Sequence, residues 1–379
     1  MIRVGITGQA GFVGTHLFNT LGLYPEKFIR IPFEDKYFES ARQLEGFVKK
    51  CDAIIHLAAV NRHNDPSLIY ETNIRLVKQL ISACETTAST PHILFSSSTQ
   101  EARDNPYGRS KLEGRKLFER WADKNNAQFS GFIIPNVYGP FGNPYYNSVI
   151  ATFCHQLTHG ETPKIEVDAE IKLIYVGEIV KHFIDRIELT KRENENHCVI
   201  EEIILQQTST IKVSVLLKAL QIYKDNYFNR GEIPSLDNPF KQNLFNTFIS
   251  YIDHTSFFPF KFKMNTDSRG SFVEIIKLNS GGQVSFSTTK PGITRGNHFH
   301  TRKAERFAVI KGKARIDLRR VATDKVFSFD LDGNDPSFVD MPIWYTHNIT
   351  NVGDEELYTI FWINEHYNPN DPDTYFENV

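Results

Sequence analysis

The feature that most constrains the fold is a run of glycines close to the start of the sequence. In "IRVGITGQAGFVG", a strand-like apolar run is followed by Gly8, Gly11 and Gly14, and helical spacing begins after them. Glycine lets a chain turn tightly between a strand and a helix and approach a phosphate, whose charge meets the N-terminal end of the helix. The pattern predicts a turn that binds the pyrophosphate of a dinucleotide, with Phe12 and Val13 as part of that turn.

Two patterns of hydrophobicity divide the chain. Up to about residue 190, short apolar runs such as "AIIHLAA", "HILFSS" and "FSGFIIP" alternate with segments of helical spacing, which predicts a parallel sheet covered on both faces. From about Asn246 onward, runs such as "FVEIIKL", "QVSFSTT" and "ELYTIFWI" are separated by turn residues, which is typical of an antiparallel barrel or sandwich. The predicted fold class is α/β, with a doubly wound parallel sheet in residues 1–245 and an all-β domain in residues 246–379. The boundary itself is placed only within Asp237–Met264.

Composition favours small-molecule partners. Apolar residues make up 40% and charged residues 23% of the chain, and a net charge of −2 provides no basic field for nucleic acid. There is no run of eighteen apolar residues, and the sequence opens directly on a strand-like segment without a signal peptide. We therefore expect a cytoplasmic protein that binds neither nucleic acid nor a membrane.

A serine, a tyrosine and a lysine form a candidate catalytic group in "SSSTQEARDNPYGRSK". Tyr107 and Lys111 are four residues apart on a predicted helix and so lie on one face. A lysine charge beside a phenol lowers its pKa, which makes the tyrosine a proton donor and acceptor near neutral pH. Ser98, at the end of the preceding strand, is expected to bind the same substrate oxygen.

The end of the second predicted strand favours NADPH as the cofactor. An acidic residue at this position accepts a hydrogen bond from the ribose of NAD and repels a 2′-phosphate. In "KFIRIPFED" the position falls at about Pro32, although Glu34 and Asp35 follow closely. Arg30 is interpreted as an ordinary strand residue.

With "HLAAVNR", "PNVYGP" and "YVGEIV" following in order, residues 1–245 resemble the extended short-chain dehydrogenases/reductases that act on nucleotide sugars. The resemblance implies a Rossmann-type fold, a second role for Lys111 at the nicotinamide ribose, and a substrate side that includes Asn136 and Asn147. The alternative is that these two asparagines only cap loops. The sequence departs from the family in lacking an arginine before the Pro-Asn pair and in its short spacer between serine and tyrosine.

A second candidate site lies in "GNHFHTRKAERFAVIKG". Side chains that alternate along a strand point the same way, so His298 and His300 are expected to project together into a barrel. Glu305 follows on the next strand, and His347 is supplied by "PIWYTHNITN". Three histidines and a carboxylate suit Zn²⁺ or another first-row divalent ion.

These two segments resemble the two signature motifs of the cupins, which implies a cupin barrel with a metal in its cup. The second motif has Trp344 where glycine is usual, and we expect this ring to narrow the cup. A rival interpretation follows from metal-free cupins that epimerise deoxy-4-keto sugar nucleotides, in which His298 would be a base instead of a ligand. Lys303 and Tyr345 are further candidates for the acid and base.

Over its full length the chain resembles bifunctional capsular-polysaccharide enzymes that join an extended reductase to a cupin. The resemblance implies a homodimer that inverts carbon 3 of UDP-2-acetamido-2,6-dideoxy-4-hexulose and then reduces carbon 4 with NADPH. The product is UDP-2-acetamido-2,6-dideoxy-β-L-talose, in UDP-N-acetyl-L-fucosamine biosynthesis. Two alternatives remain: an NAD-dependent nucleotide-sugar epimerase or dehydratase, and a reductase whose cupin only senses sugars or dimerises.

Overall fold

The computed structural model describes residues 1–189, 198–268 and 270–379, and they form two compact units. Unit 1 consists of Met1–Tyr138, Gly142–Val149 and Ala169–Lys212, and unit 2 of Gly139–Phe141, Ile150–Asp168 and Val213–Val379. Among the described residues, no helix is both long and apolar enough to cross a membrane. The domain limits at 245/246 stay a prediction, and residue 246 itself lies inside a helix.

Most of unit 1 is a parallel sheet with helices around it. Its strands in chain order are β1 (Ile2–Thr7), β2 (Phe28–Ile31), β3 (Ala53–His56), β4 (His92–Ser98), β5 (Gln128–Ile134), β6 (Asn136–Tyr138), β7 (Glu170–Tyr175), β8 (Val199–Ile204) and β9 (Ser209–Lys212). The α-helices in the described residues of both units are α1 (Phe12–Leu21), α2 (Ala41–Val48), α3 (Pro66–Thr86), α4 (Pro106–Lys124), α5 (Val149–Thr158), α6 (Val176–Leu189), α7 (Val213–Tyr223), α8 (Pro239–Ile249) and α9 (His254–Phe257).

The order of the strands determines where unit 1 binds a ligand. The described residues form a sheet of six strands in the order β2-β1-β3-β4-β5-β8, and every neighbouring pair is parallel. The chain runs from β1 to β2 on one side and returns to β3 on the other. The carboxyl ends of β1 and β3 therefore flank a crevice, and such a switch point is where open α/β sheets bind ligands.

Local sequence explains where the helices that flank this crevice begin. Pro66 opens α3 behind Asp65, whose side chain accepts a hydrogen bond from the Ser67 amide at 2.9 Å. Pro106 opens α4 behind Asn105 in the same way. Proline lacks an amide hydrogen that the first turn of a helix does not need, and an Asp or Asn cap satisfies another amide. The start of α4 at Pro106 is what places Tyr107 in its first turn.

Unit 2 is built mainly from antiparallel strands. They are β10 (Phe260–Lys261), β11 (Met264–Asp267), β12 (Gly270–Val273), β13 (Gln283–Thr289), β14 (Thr294–Phe299), β15 (Glu305–Lys311), β16 (Lys313–Arg320), β17 (Val326–Asp332), β18 (Ser337–Met341), β19 (Tyr345–Asn351), β20 (Leu357–Ile363) and β21 (Tyr375–Phe376). The described residues form two five-stranded sheets, in the orders β10-β18-β15-β20-β13 and β17-β16-β19-β14-β21. Their shared core includes Val309, Ile316, Leu318 and Val339.

The predicted fold class is confirmed, a parallel α/β sheet followed by antiparallel β-sheets. One predicted strand is wrong in part. Of "FVEIIKL", Phe272 and Val273 belong to β12, whereas the residues after them lie outside any strand. The backbone there bonds to Ile233, which donates to the carbonyl of Lys277 and accepts from the amide of Asn279. The backbone of Lys277 and Asn279 thus pairs with Ile233, which is distant in the sequence, and not with a neighbouring strand as the alternating pattern predicts.

Candidate functional site

Unit 1 contains a cavity of about 420 Å³ at the carboxyl ends of its central strands. The cavity brings together all ten residues that the sequence nominated for this half of the chain. They are Gly8, Gly11, Phe12, Val13, Gly14, Ser98, Tyr107, Lys111, Asn136 and Asn147. Their roles stay predictions, but their convergence on one cavity is an observed property of the fold.

The glycine turn forms one end of the cavity. Gly8 has a φ of +71°, a left-handed conformation that glycine adopts without strain. A side chain at Gly14 would overlap the carbonyl oxygen of Gly8. Gly11 caps α1 without any side-chain hydrogen bond. The turn therefore leaves space and free helix amides for a pyrophosphate, and it fits the dinucleotide predicted from the sequence.

The catalytic candidates lie on β4 and α4. Ser98 is the last residue of β4, and its Oγ accepts a hydrogen bond from the Gln100 amide at 3.2 Å. The Nζ of Lys111 lies 5.6 Å from the centre of the Tyr107 ring and donates to the carbonyl of Ser96 at 2.8 Å. The lysine is thus anchored to the strand that carries the serine, one helical turn beyond the tyrosine.

The pKa values of Tyr107 and Lys111 are both shifted by burial, and the shift of Tyr107 is opposite to the predicted one. Burial raises the pKa of Tyr107 above its usual range, and Tyr146 adds to the effect. Burial also lowers the pKa of Lys111 to about 7, although Glu101 opposes the shift. The lowered phenol pKa that we expected is absent from this structure, because burial of the phenol itself disfavours its charged form. A phenol with a raised pKa is protonated at neutral pH, which makes it a proton donor.

A buried amide that holds the loops around the site was not recognised as such in the sequence. Asn73 on α3 accepts a hydrogen bond from the Val60 amide at 2.7 Å and donates to the Ser110 hydroxyl at 2.9 Å. The Ser110 hydroxyl in turn donates to the carbonyl of Tyr107 at 2.7 Å. Asn73 therefore ties the loop after β3 to the first turn of α4 and helps to position the tyrosine.

The described residues of the cavity wall include none from the end of β2, where an acidic residue would contact the ribose of NAD. Among the residues that the structure describes, the cavity wall has no aspartate, glutamate or histidine. Glu34 instead pairs at the surface with Lys36, at 2.6 Å. Arg30 stacks on the Phe18 ring at 4.4 Å and donates to its carbonyl, consistent with its interpretation as an ordinary strand residue.

The wall opposite the glycine turn includes the two predicted asparagines. Asn136 uses its side-chain amide to donate to the carbonyl of Lys172 at 3.1 Å, and Asn147 is exposed. Tyr146 was not predicted from the sequence as a site residue, and its hydroxyl accepts a hydrogen bond from the Asn61 amide at 3.2 Å. A second tyrosine beside Tyr107 thus lines the cavity and ties two of its loops together. Tyr146 directly precedes the predicted Asn147 in the segment "YYNSVIATF", but nothing in this segment distinguishes Tyr146 from the adjacent Tyr145.

Unit 2 brings together the four predicted metal ligands. One ligand-type atom from each of His298, His300, Glu305 and His347 lies within 4.8 Å of the other three. A β-bulge in β14 aligns them, since the register shifts between Gly296 and His298 and leaves His298 directly opposite His347 on β19. Gly296 has a φ of +99°, so the bulge favours glycine.

Three of the four donor atoms of this cup are buried and have no hydrogen bond from the described residues. They are the Nε2 atoms of His300 and His347 and the Oε2 atom of Glu305. The carboxylate approaches the two nitrogens at 3.4 and 3.2 Å, but without the alignment of a hydrogen bond. Buried polar atoms without a partner are costly, so their convergence fits a site that binds a cation.

The charges within the cup favour an ionised carboxylate. Burial by itself would raise the pKa of Glu305, but its close contacts with the imidazoles of His300 and His347 lower it below its usual range. Burial, reinforced by the other two histidines, lowers the pKa of His298 to about 4. A carboxylate that is charged and an imidazole that is neutral near pH 7 are the forms in which these groups bind a metal.

Three further candidates lie close to the cup. Trp344 has a φ of +62°, which explains why glycine suits this position, and its ring stacks on Phe299. Phe299 alternates with the two histidines along β14, so the expected narrowing of the cup by Trp344 is not supported. Tyr345 lies opposite Arg320 in the β16–β19 register. Lys303 is buried and donates to a main-chain carbonyl, that of Pro372, at 2.9 Å.

Two known protein families match this chain, and each match covers one of the two candidate sites. The sequence model of the NAD dependent epimerase/dehydratase family matches residues 4–199, just over half of the 379 residues. The chain belongs to the NAD dependent epimerase/dehydratase family. A second family model, the polysaccharide biosynthesis C-terminal domain, matches residues 265–375, which include the four cup residues.

Two relatives of this family member match it from end to end. It is 32% identical over 380 residues to UDP-2-acetamido-2,6-beta-L-arabino-hexul-4-ose reductase of Pseudomonas aeruginosa, covering 99% of this chain and 98% of the relative. The crystal structure of the capsular polysaccharide assembling protein CapF of Staphylococcus aureus matches with 35% identity and a TM-score of 0.62, covering 100% of both chains. These matches confirm the resemblance to capsular-polysaccharide enzymes.

A more distant structure resembles the reductase half in fold alone. RMD of Pseudomonas aeruginosa, solved with NADPH, has a TM-score of 0.52 at 19% identity, covering 59% of this chain and 84% of that one.

Proposed function

We propose that this chain is a bifunctional nucleotide-sugar enzyme of UDP-N-acetyl-L-fucosamine biosynthesis for a surface polysaccharide. Unit 2 inverts carbon 3 of UDP-2-acetamido-2,6-dideoxy-4-hexulose, and unit 1 reduces the carbon 4 ketone to give UDP-2-acetamido-2,6-dideoxy-β-L-talose. The observation that carries the proposal is the presence of two chemically different constellations in one chain, Ser98–Tyr107–Lys111 in a cavity and a His₃Glu cup. The reductase name of the Pseudomonas relative supports it. The homodimer and the cytoplasmic location stay predictions.

The residues of unit 1 suit the reduction of a ketone. NADPH, when bound on the glycine turn, supplies the hydride. Tyr107 donates the proton to the oxygen on carbon 4, for which its raised pKa keeps the phenol protonated. Ser98 holds that oxygen, and Lys111 binds the nicotinamide ribose and provides charge beside the phenol when protonated. Pro32 stands at the end of β2, where an acidic residue would bind the ribose of NAD, and this supports NADPH over NADH.

The same cavity argues against a dehydratase. Elimination of water from a sugar needs one group that removes a proton from carbon and another that protonates the leaving hydroxyl, and carboxyl groups or histidines usually do this. Among the described residues of the wall, the titratable side chains are Tyr107, Lys111 and Tyr146. This set suffices for hydride transfer coupled to one proton transfer and provides no pair of carboxyl groups.

The residues of unit 2 suit an inversion at carbon 3. The four side chains His298, His300, Glu305 and His347 would hold one divalent ion, for which we propose Zn²⁺. Such an ion polarises an adjacent ketone oxygen, which acidifies the proton on the neighbouring carbon. Once the ketone is reduced that acidity is lost, so inversion must precede reduction. The order of the two steps gives a chemical reason for joining both sites in one chain.

The decisive experiment follows the carbon 3 proton of the UDP-4-keto sugar by NMR in deuterium oxide, with enzyme and without nicotinamide. We expect its signal to disappear with the wild type, because unit 2 exchanges this proton before any reduction. The Tyr107→Phe variant should exchange it at the same rate and yet lose reduction by roughly 10²- to 10⁴-fold. An unchanged signal, with NADPH still oxidised when supplied, would instead make the cup a non-catalytic module.

A further inference from the structure

The carboxylate of Asp373, near the C-terminus, is buried against the loop that joins two cup ligands. It accepts hydrogen bonds from the Thr301 amide at 3.1 Å, the Thr301 hydroxyl at 2.6 Å, the Arg302 amide at 3.0 Å and the Lys303 amide at 3.1 Å. Three successive amides directed at one anion form a nest, which holds a loop in a single conformation. This loop connects His300 to Glu305, so its conformation determines the separation of two donor atoms.

The main chain of the same segment contacts a ligand directly. The Nδ1 of His300 lies within hydrogen-bonding distance of the Asp373 carbonyl oxygen. A carbonyl can only accept, so His300 carries its proton on Nδ1 and leaves Nε2 as the free donor atom. That Nε2 lies 3.4 Å from the Glu305 carboxylate. The carbonyl of Pro372 accepts from the buried Nζ of Lys303 at 2.9 Å, which fixes the segment at a second point.

The backbone conformation indicates that these contacts are specific. Asp373 has a φ of +44°, a left-handed conformation that residues other than glycine adopt only when their surroundings hold them there. The conformation lets one residue present both its carboxylate and its carbonyl to the ligand loop. The side chain is also almost fully buried, at 3% exposure, which is unusual for an aspartate unless its partners compensate the charge.

We infer that Pro372 and Asp373 form a clasp that sets the tautomer of His300 and the geometry of the loop after it, and that Asp373 is a positioning residue for the metal. The inference rests on the proposed metal role of the cup. It assigns a function to a segment that lies 73 residues beyond His300 in the sequence and supplies none of the four predicted ligands. Groups that orient a metal ligand from behind typically change metal affinity by about 10- to 100-fold.

The test compares two asparagine variants by competition for Zn²⁺ with a chromophoric chelator. Asp373→Asn keeps the shape of the side chain but points an NH₂ group at backbone amides, and we expect affinity to fall by about 10- to 100-fold. Asp371→Asn is the matched control, because this neighbouring carboxylate pairs with the partly exposed guanidinium of Arg302, whereas Asp373 accepts hydrogen bonds from the backbone amides of the loop. The control should keep its affinity within about twofold, as expected for a surface ion pair.

Equal Zn²⁺ affinity of Asp373→Asn and the wild type would overturn the clasp. Failure of the wild type to bind Zn²⁺ would instead overturn the proposed metal site, so the two ideas fail separately. Should Asp373→Asn not fold, ¹⁵N NMR of the wild-type His300 ring without metal decides the question. A proton on Nδ1 is expected, and an Nδ1 that carries no proton would refute the clasp.

Discussion

Replacing Asp340 with asparagine should destabilise unit 2 far more than the same substitution at an exposed aspartate does. Asp340 on β18 accepts hydrogen bonds from the Nε and Nη2 of Arg306, at 2.7 and 2.9 Å, and from the Tyr227 hydroxyl, at 2.6 Å. Arg306 is 1% exposed, and its Nη1 donates to the carbonyl of Gly231 at 2.6 Å. This network ties the strand that begins with Glu305 to residues that precede the β-sheets in the sequence.

The magnitude follows from the burial of the pair. Removing one partner of a buried ion pair leaves an uncompensated charge and costs about 3–5 kcal/mol. The hydrogen bond from Tyr227 adds about 1 kcal/mol if the amide does not replace it. Asp330→Asn is the matched control, because Asp330 pairs with Arg315 while the two side chains are 70% and 52% exposed. Such a pair contributes about 0.2–1 kcal/mol.

The assay is urea unfolding followed by tryptophan fluorescence. Of the three tryptophans, Trp121 lies in unit 1, whereas Trp344 and Trp362 lie in unit 2. A Trp121→Phe background therefore makes the signal report unit 2, for which the free energies of unfolding are compared. A difference below about 1 kcal/mol between the Asp340 and Asp330 variants would refute the reasoning, since it is no larger than a surface pair contributes.

Three other predictions test the sites. Gly296→Ala should lower Zn²⁺ affinity and stability, because its Cβ would lie 2.8 Å from the His347 carbonyl oxygen. Gly292→Ala, at a φ of +73° with open space around it, should cost only backbone strain of about 1–2 kcal/mol and keep Zn²⁺ affinity. Equal affinities would contradict the role of the bulge. Lys111→Met should raise the free energy of unfolding relative to the wild type, and this difference should be largest near pH 7 and should shrink as the pH rises to 10. Burial lowers the pKa of Lys111 to about 7, so over this range the unfolded wild type binds more protons than the folded one and wild-type stability rises with pH. Denaturant titrations of both proteins across this range check it, and a constant difference would contradict it. Glu305→Gln should lower metal content in elemental analysis, and full retention would remove Glu305 from the ligand set.

Residues close together in the sequence were the ones that the sequence predicted well. The glycine turn, the spacing of Tyr107 and Lys111, and the alternation of His298 and His300 each follow from the geometry of one turn, helix or strand. The structure brings each of these groups together as its spacing implied. Caps such as Asn105 before a proline are likewise local signals, and the start of α4 agrees with them.

Properties that depend on burial were predicted less well. The pKa of Tyr107 shifts upward and not downward, because desolvation by surrounding residues disfavours the charged phenolate. The ring of Trp344 stacks on Phe299 and not over the cup. In both cases the spacing placed the residue correctly, whereas its environment came from other segments of the fold.

The sequence by itself determined the two fold classes, and it predicted the glycine turn, the pairing of Tyr107 with Lys111 and the grouping of His298 with His300, because short-range periodicity encodes them. Only the tertiary structure revealed the partners of Arg306 and His300. Asp340 is 34 residues from Arg306, Tyr227 is 113 residues from Asp340, and Asp373 is 73 residues from His300. No helical or strand period relates positions so far apart. Their proximity results from the pairing of strands and the docking of the C-terminal tail, where each buried polar group must find a partner.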